Sequence, residues 1–150
     1  MNTRHLWSRG GRSLGAVLLA FALATFAGAE TTASTEDLNQ GPVTKELDGG
    51  LVVQFEIFPR PIPAMKQLEF ALTLTRDGKA VEGAEVSLEF TMPAMYMGKN
   101  SPTLVEVSPG RFEGKGLIVR CMSGDKRWLA TIVIKEAGGS HKVAFPLEVS

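Results

Sequence analysis

Hydrophobic and polar residues alternate with a period of two in stretch after stretch of this chain beyond residue 50, and no credible amphipathic helix is found there. In "LVVQFEIFP", Val53, Phe55 and Ile57 alternate with Gln54 and Glu56, which predicts a half-buried strand beginning at Leu51. "QLEFALTLT" sets Leu68, Phe70, Leu72 and Leu74 against Glu69, Ala71 and Thr73. "AEVSLEFTM" does the same with Val86, Leu88 and Phe90 against Glu85, Ser87 and Glu89. Four further strands are predicted at 103–107, 112–119, 128–134 and 142–149. Asp77-Gly78, Glu82-Gly83, Pro109-Gly110, Ser123-Gly124-Asp125 and Gly138-Gly139 supply the turns between them.

About seven antiparallel strands at this spacing predict an all-β fold, an immunoglobulin-like β-sandwich of about 100 residues. It forms one domain over residues 51–150. Trp128 opens a clean alternation with Ala130, Ile132 and Ile134 and is expected to anchor the core. Pro146 cannot donate to a ladder, so the last strand is expected at a sheet edge. The polar stretch 30–50, rich in Thr, Glu, Asn and Gly, is expected to be a flexible lead-in.

Residues 1–29 have the layout of a cleavable export signal: Arg4, Arg9 and Arg12, then the apolar run LGAVLLAFALATF, then Ala27-Gly28-Ala29. The apolar run from Leu14 to Ala29 is shorter than the roughly 18–20 residues of a spanning helix. Cleavage after Ala29 and a periplasmic location are expected, the alternative being an inner-membrane anchor formed by residues 14–29. Losing this leader changes the electrostatics. It carries three of the sixteen basic residues and none of the sixteen acids, leaving thirteen against sixteen, a net of −3. That is no footprint for nucleic acid. It also leaves His141 as the one histidine, so poly-histidine metal sites and serine–histidine catalysis are poorly provided for. Glu85 and Glu89 share a strand face with no histidine or Gly-rich loop beside them, so no catalytic constellation and no small-molecule substrate are expected. His141 itself is placed in a solvated Gly-Gly-Ser-His hairpin.

The chemistry that remains is sulfur. "FTMPAMYMGKN" holds Met92, Met95 and Met97 within six positions, at the end of a strand. Along an extended chain Met95 and Met97 share one face and Met92 takes the other; Pro93 promotes a turn that alters this. Thioether sulfur is soft and uncharged and suits Cu(I) or Ag(I) over zinc, calcium or magnesium. The same residues also serve as adaptable packing or as a sticky surface. "RCMSGDKRW" adds Cys121 and Met122 at a second strand end. Neighbouring strand residues face opposite ways, so at most one of the two is expected to join a shared site. Arg120, Lys126 and Arg127 are expected to lower the Cys121 thiol pKa. Met65, in the Pro-rich loop "RPIPAMKQ", is a further thioether.

These elements together resemble the YtkA-like domain family, related to FixH-like envelope proteins. The resemblance rests on the hairpin from Gly78 to Val81, the Met-Pro-x-Met-x-Met strand end from Met92 to Met97, the aromatic-x-Gly-x-Gly strand from Phe112 to Gly116, and Gly124 to Trp128. The last has one residue more between Gly and Trp than the family pattern. Similarity extends over about residues 51–149. The resemblance implies an immunoglobulin-like sandwich at the cell envelope, in copper handling, oxidase assembly or heavy-metal efflux. Met92, Met95 and Met97 carry over directly, while Cys121-Met122 falls where many members have a simple turn. FixH-like proteins are membrane-anchored, in keeping with the alternative reading of residues 14–29.

The leading expectation is therefore an exported, non-enzymatic domain that binds Cu(I) through Met92, Met95 and Met97, with Cys121 or Met122 completing the site. Its expected partner is an envelope efflux or oxidase-assembly protein. The alternative is a metal-free interaction module that docks through the Met-rich loop. A third reading is a thiol redox role for Cys121, which has no resolving cysteine in its own chain.

Overall fold

A computed structural model describes residues 36–150. The export signal expected over 1–29 and the first residues of the lead-in lie outside the described residues. Nine strands are found among those described: β1 Val43–Leu47, β2 Leu51–Phe58, β3 Leu68–Arg76, β4 Lys79–Ala80, β5 Glu85–Thr91, β6 Leu104–Ser108, β7 Arg111–Gly116, β8 Arg127–Glu136 and β9 Gly139–Glu148. One sheet has the order β1-β2-β3-β7-β6, with β4 paired to the end of β3; the other has the order β5-β8-β9. Every pairing is antiparallel. This is the immunoglobulin-like β-sandwich that the alternation predicts. No helix among the described residues is long and apolar enough to cross a membrane.

Register explains the core. Directly opposite residues point to the same face. The pairs Val53–Leu74, Phe55–Leu72 and Ile57–Phe70 therefore turn inward from one sheet. Phe90–Ala130 and Leu88–Ile132 turn inward from the other, as do Ala130–Phe145 and Trp128–Leu147. Aromatic rings close the gap between sheets: Phe55 meets Phe145 at 5.4 Å between centroids, and Phe70 meets Phe90 at 5.2 Å. Each such ring contributes about 1.5–3 kcal/mol by leaving water. Pro146 lies on β9, which is an edge strand as expected.

Three expectations are corrected. The lead-in 30–50 is not a flexible segment where it is described: Val43–Leu47 forms β1 and pairs with Leu51–Phe55 of β2. Lys45 takes an inward register position, yet its ammonium donates to the Ala144 carbonyl at 2.8 Å and lies 5.2 Å over the Phe145 ring. Its aliphatic stem thus covers the core while its charge is satisfied, which a polar/apolar reading misses. The strand expected at 112–119 stops at Gly116. His141 is not in a hairpin loop but on β9 opposite Ile134, with Nε2 3.1 Å from Glu136 Oε1.

The Gly-x-Gly motif also has a packing reason. A Cβ on Gly114 would run into the Thr103 carbonyl and stand 2.8 Å from Leu104 Cδ2. A Cβ on Gly116 would stand 3.0 Å from the Phe70 ring and 3.1 Å from Pro102. The two glycines let the chain leading into β6 lie directly over β7.

Candidate functional site

The strand directions sort the loops to two poles. At one pole β2 and β7 end, β3 begins, β5 ends and β8 begins, so the connections 59–67, 92–103 and 117–126 gather there. Those connections carry Met65, Met92, Met95, Met97, Cys121 and Met122, which are all the methionines and the one cysteine of the described residues. Both ends of the described chain are pinned at this pole too. Asn39 accepts a hydrogen bond from the Ile62 N–H at 2.8 Å and donates to the Glu148 carbonyl at 2.9 Å. The Ser150 N–H donates to the Ile62 carbonyl at 2.9 Å.

The Met-rich segment folds back on itself. Met92 and Met95 form an antiparallel bridge around Pro93-Ala94, so Pro93 sits where a tight turn favours it. The bridge puts Met92 and Met95 side by side rather than on the opposite faces of an extended chain. Met92 is buried in the core and Met97 packs partly against it, while Met95 remains 42% exposed. Met92, Met95 and Met97 line one depression of about 330 Å³ with Tyr96 at its rim. The loop then returns along β5, where the Phe90 N–H donates to the Asn100 carbonyl at 2.8 Å. The Asn100 side-chain amide donates to the Leu117 carbonyl at 3.0 Å, joining this loop to the next.

In that next loop, Cys121 to Gly124 forms a turn, closed by the Gly124 N–H to the Cys121 carbonyl at 3.1 Å. The chain leaves the turn through Gly124 at φ +81°, a conformation that glycine adopts without strain. It turns Cys121 inward, 3% exposed, and leaves Met122 wholly in solvent. Cys121 Sγ lies 3.5 Å from Met95 Sδ and 2.9 Å from Ser123 Oγ. With the thiol proton directed at Met95, the Ser123 hydroxyl donates to the sulfur. The structure thus brings Cys121 to the methionine hairpin, while the Met122 side chain is turned out into solvent.

The Cys121 thiol pKa is lowered, chiefly by the Ser123 hydroxyl and then by the Ser123 backbone N–H. The cause differs from the expected one, because the basic side chains nearby do not supply it. Arg127 is committed to Asp125 through Nε at 3.1 Å and Nη2 at 2.9 Å. That pairing holds the Asp125 carboxyl down at about 2, and the resulting negative charge opposes ionisation of Cys121. His141 and its Glu136 partner lie towards the other pole, at the β8–β9 hairpin. Among the described residues no group of three or more His, Cys, Asp or Glu side chains could hold a metal ion. The soft donors at this pole are the sulfurs of its five methionines and Cys121.

The sequence profile of the YtkA-like family matches residues 50–125. Among solved structures, the chain is similar to a DUF4785 family protein from Legionella pneumophila, with a TM-score of 0.52 and 12% sequence identity. That similarity covers 67% of this chain and only 28% of the Legionella protein, and it speaks for the fold alone. Comparison with curated proteins finds no match.

Proposed function

The chain belongs to the YtkA-like family, and we propose that it is an exported, non-enzymatic protein that carries Cu(I) on Cys121 and Met95. Met92 and Met97 stand beside that pair. One observation carries this reading: the Cys121 and Met95 sulfurs lie 3.5 Å apart at the pole that holds every other methionine of the described residues. Two sulfurs bound to one ion at about 2.3 Å each are at most about 4.6 Å apart, so this pair is already within reach of a shared ion. A thiolate and neutral thioethers around Cu(I) sum to zero charge, which suits a half-buried place where an uncompensated ion is costly. Soft donors and a low coordination number select Cu(I) or Ag(I) over harder cations. The protein passes its cargo to an envelope efflux or oxidase-assembly protein, either from the periplasm or while held to the inner membrane by residues 14–29.

Anaerobic Cu(I) titration against a chromophoric competitor tests this, with the wild type beside a Met95→Ile/Met97→Ile variant. The wild type is expected to bind more tightly than micromolar and the variant more weakly. Wild-type binding no tighter than micromolar, or a variant equal to it, overturns the reading.

A second reading draws on the surface. Met65, Met95, Tyr96, Leu117 and Met122 are all exposed at the same pole, an apolar cluster of the kind that marks a docking face. In this reading the pole binds a protein partner without metal. A wild type that fails to take Cu(I) leaves this one standing.

A further inference from the structure

Cys121 stands between two sets of thioethers. On one side is the depression lined by Met92, Met95 and Met97. On the other is a wider one, about 640 Å³, lined by Met65, Cys121 and Met122 with Arg120 and Gly124. The two sets differ in burial. Met92 is in the core and Met97 packs against it, whereas Met65 is 61% exposed and Met122 wholly so. An apolar thioether left in water does nothing for folding.

Their placement is nonetheless built. Met65 has φ +61°, the left-handed region that a non-glycine residue enters at a cost of about 1–2 kcal/mol. Its N–H donates to the Ile118 carbonyl at 2.8 Å, which ties the 59–67 loop to the 117–126 loop beside Cys121. Met122 is carried outward by the same turn that carries Cys121 inward.

We propose that Met65 and Met122 form an outer exchange site for Cu(I), with Cys121 as the ligand common to it and to the inner Cys121–Met95 pair. The proposal rests on the Cu(I) reading above and assigns the path by which the ion arrives and leaves. Arriving Cu(I) is held by the sulfur ligands of its donor. A Met122 or Met65 lone pair adds to the ion as one donor ligand departs. Cys121 then binds as thiolate, its proton going to solvent, as the last donor ligand departs. Met95 adds last and displaces the outer thioether. Copper stays Cu(I) throughout, each bond formed is matched by one broken, and no oxidant or reductant takes part. Release runs the same steps in reverse. A low coordination number leaves room for each incoming sulfur before the outgoing one departs.

The test compares a Met65→Leu/Met122→Leu variant with Met95→Ile and the wild type, each expressed as the full chain with its own leader and purified as exported. Each is loaded with Cu(I), and transfer to a chromophoric Cu(I) chelator is followed by stopped flow alongside equilibrium competition. Because the outer side chains are exposed and leucine, unbranched at Cβ, is no more strained than methionine at φ +61°, thermal unfolding of the double variant should match the wild type. It is expected to keep its Kd within about threefold while uptake and release both slow by about tenfold, the mark of a lost path rather than a lost ligand. Unchanged exchange rates overturn the proposal. So does a loss of affinity as large as that of Met95→Ile, which would make these thioethers resident ligands. Failure of the wild type to bind Cu(I) removes the functional reading itself. Tight wild-type binding weakened by Met95→Ile, with normal exchange in the outer variant, removes the exchange site alone.

Discussion

Ser123 Oγ stands 2.9 Å from Cys121 Sγ, within a turn that buries the sulfur and exposes its neighbour. Its hydroxyl is the largest cause of the lowered Cys121 pKa. Ser123→Ala should therefore raise that pKa, since a donor that favours the thiolate is lost. Iodoacetamide alkylation rates measured against pH should show the midpoint move upward and the neutral-pH rate fall. A Ser123→Thr variant, which keeps the hydroxyl, should restore much of the shift. An alanine variant with an unmoved midpoint would show that the hydroxyl does not act on the thiolate.

Gly114 tests the close approach of the chain to β7. Any side chain there must displace the Thr103 carbonyl, which is backbone and cannot rotate aside. Gly114→Ala should destabilise the fold by about 1–3 kcal/mol, read from urea unfolding, as overpacking does. An exposed glycine with open space about it, Gly138, is the control; Gly138→Ala should shift stability far less.

Trp128 makes a finer prediction about the core. Its indole is buried, and Nε1 has no hydrogen-bond partner in the protein. Trp128→Phe loses ring volume but removes an unpaired N–H whose burial costs about 1–3 kcal/mol. The two effects should offset to within about 1–2 kcal/mol, whereas Leu72→Ala, with nothing to offset it, should cost about 2–5 kcal/mol. Calorimetry on both variants checks this, and equal losses would refute it.

Asp125 supplies a pH dependence with a defined sign. Its carboxyl falls from the ordinary 3.8 to about 2 because Arg127 donates to it. A depressed carboxylate stabilises the fold at pH above its unfolded value, and that contribution is lost as pH falls through the folded value. Acid should thus weaken the 117–126 loop between pH 3.8 and about 2. Asp125→Asn should flatten the stability profile over this window while leaving the neutral-pH fold intact, as followed by thermal unfolding at stepped pH.

The strands were legible where both faces obeyed the alternation. β2, β3, β5, β8 and β9 begin or end within a few residues of where Val53, Phe70, Phe90 and Trp128 place them. β1 was not legible, because Lys45 takes an inward place that only its stem can fill. The end of β7 was overrun because Leu117 and Val119 continue a strand-like pattern after pairing has stopped at Gly116. For the candidate site, strand parity alone allows one of Cys121 and Met122 to face the methionine hairpin. Which one is decided by the turn at Gly124, whose handedness alternation does not encode. The Met92–Met95 bridge was foreshadowed by Pro93, since proline in second place is what such a turn prefers.

Residues 36–39 and Ser150 are fastened at the sulfur pole, by Asn39 to Ile62 and Glu148 and by Ser150 to Ile62. A purification handle appended at residue 150 would therefore hang beside Cys121. A run of histidines there would bring imidazoles to a pole whose own donors are sulfur, and would report the handle's copper chemistry as the protein's. The Asp77-Gly78 turn and the β8–β9 hairpin lie at the far pole and are the places to carry one.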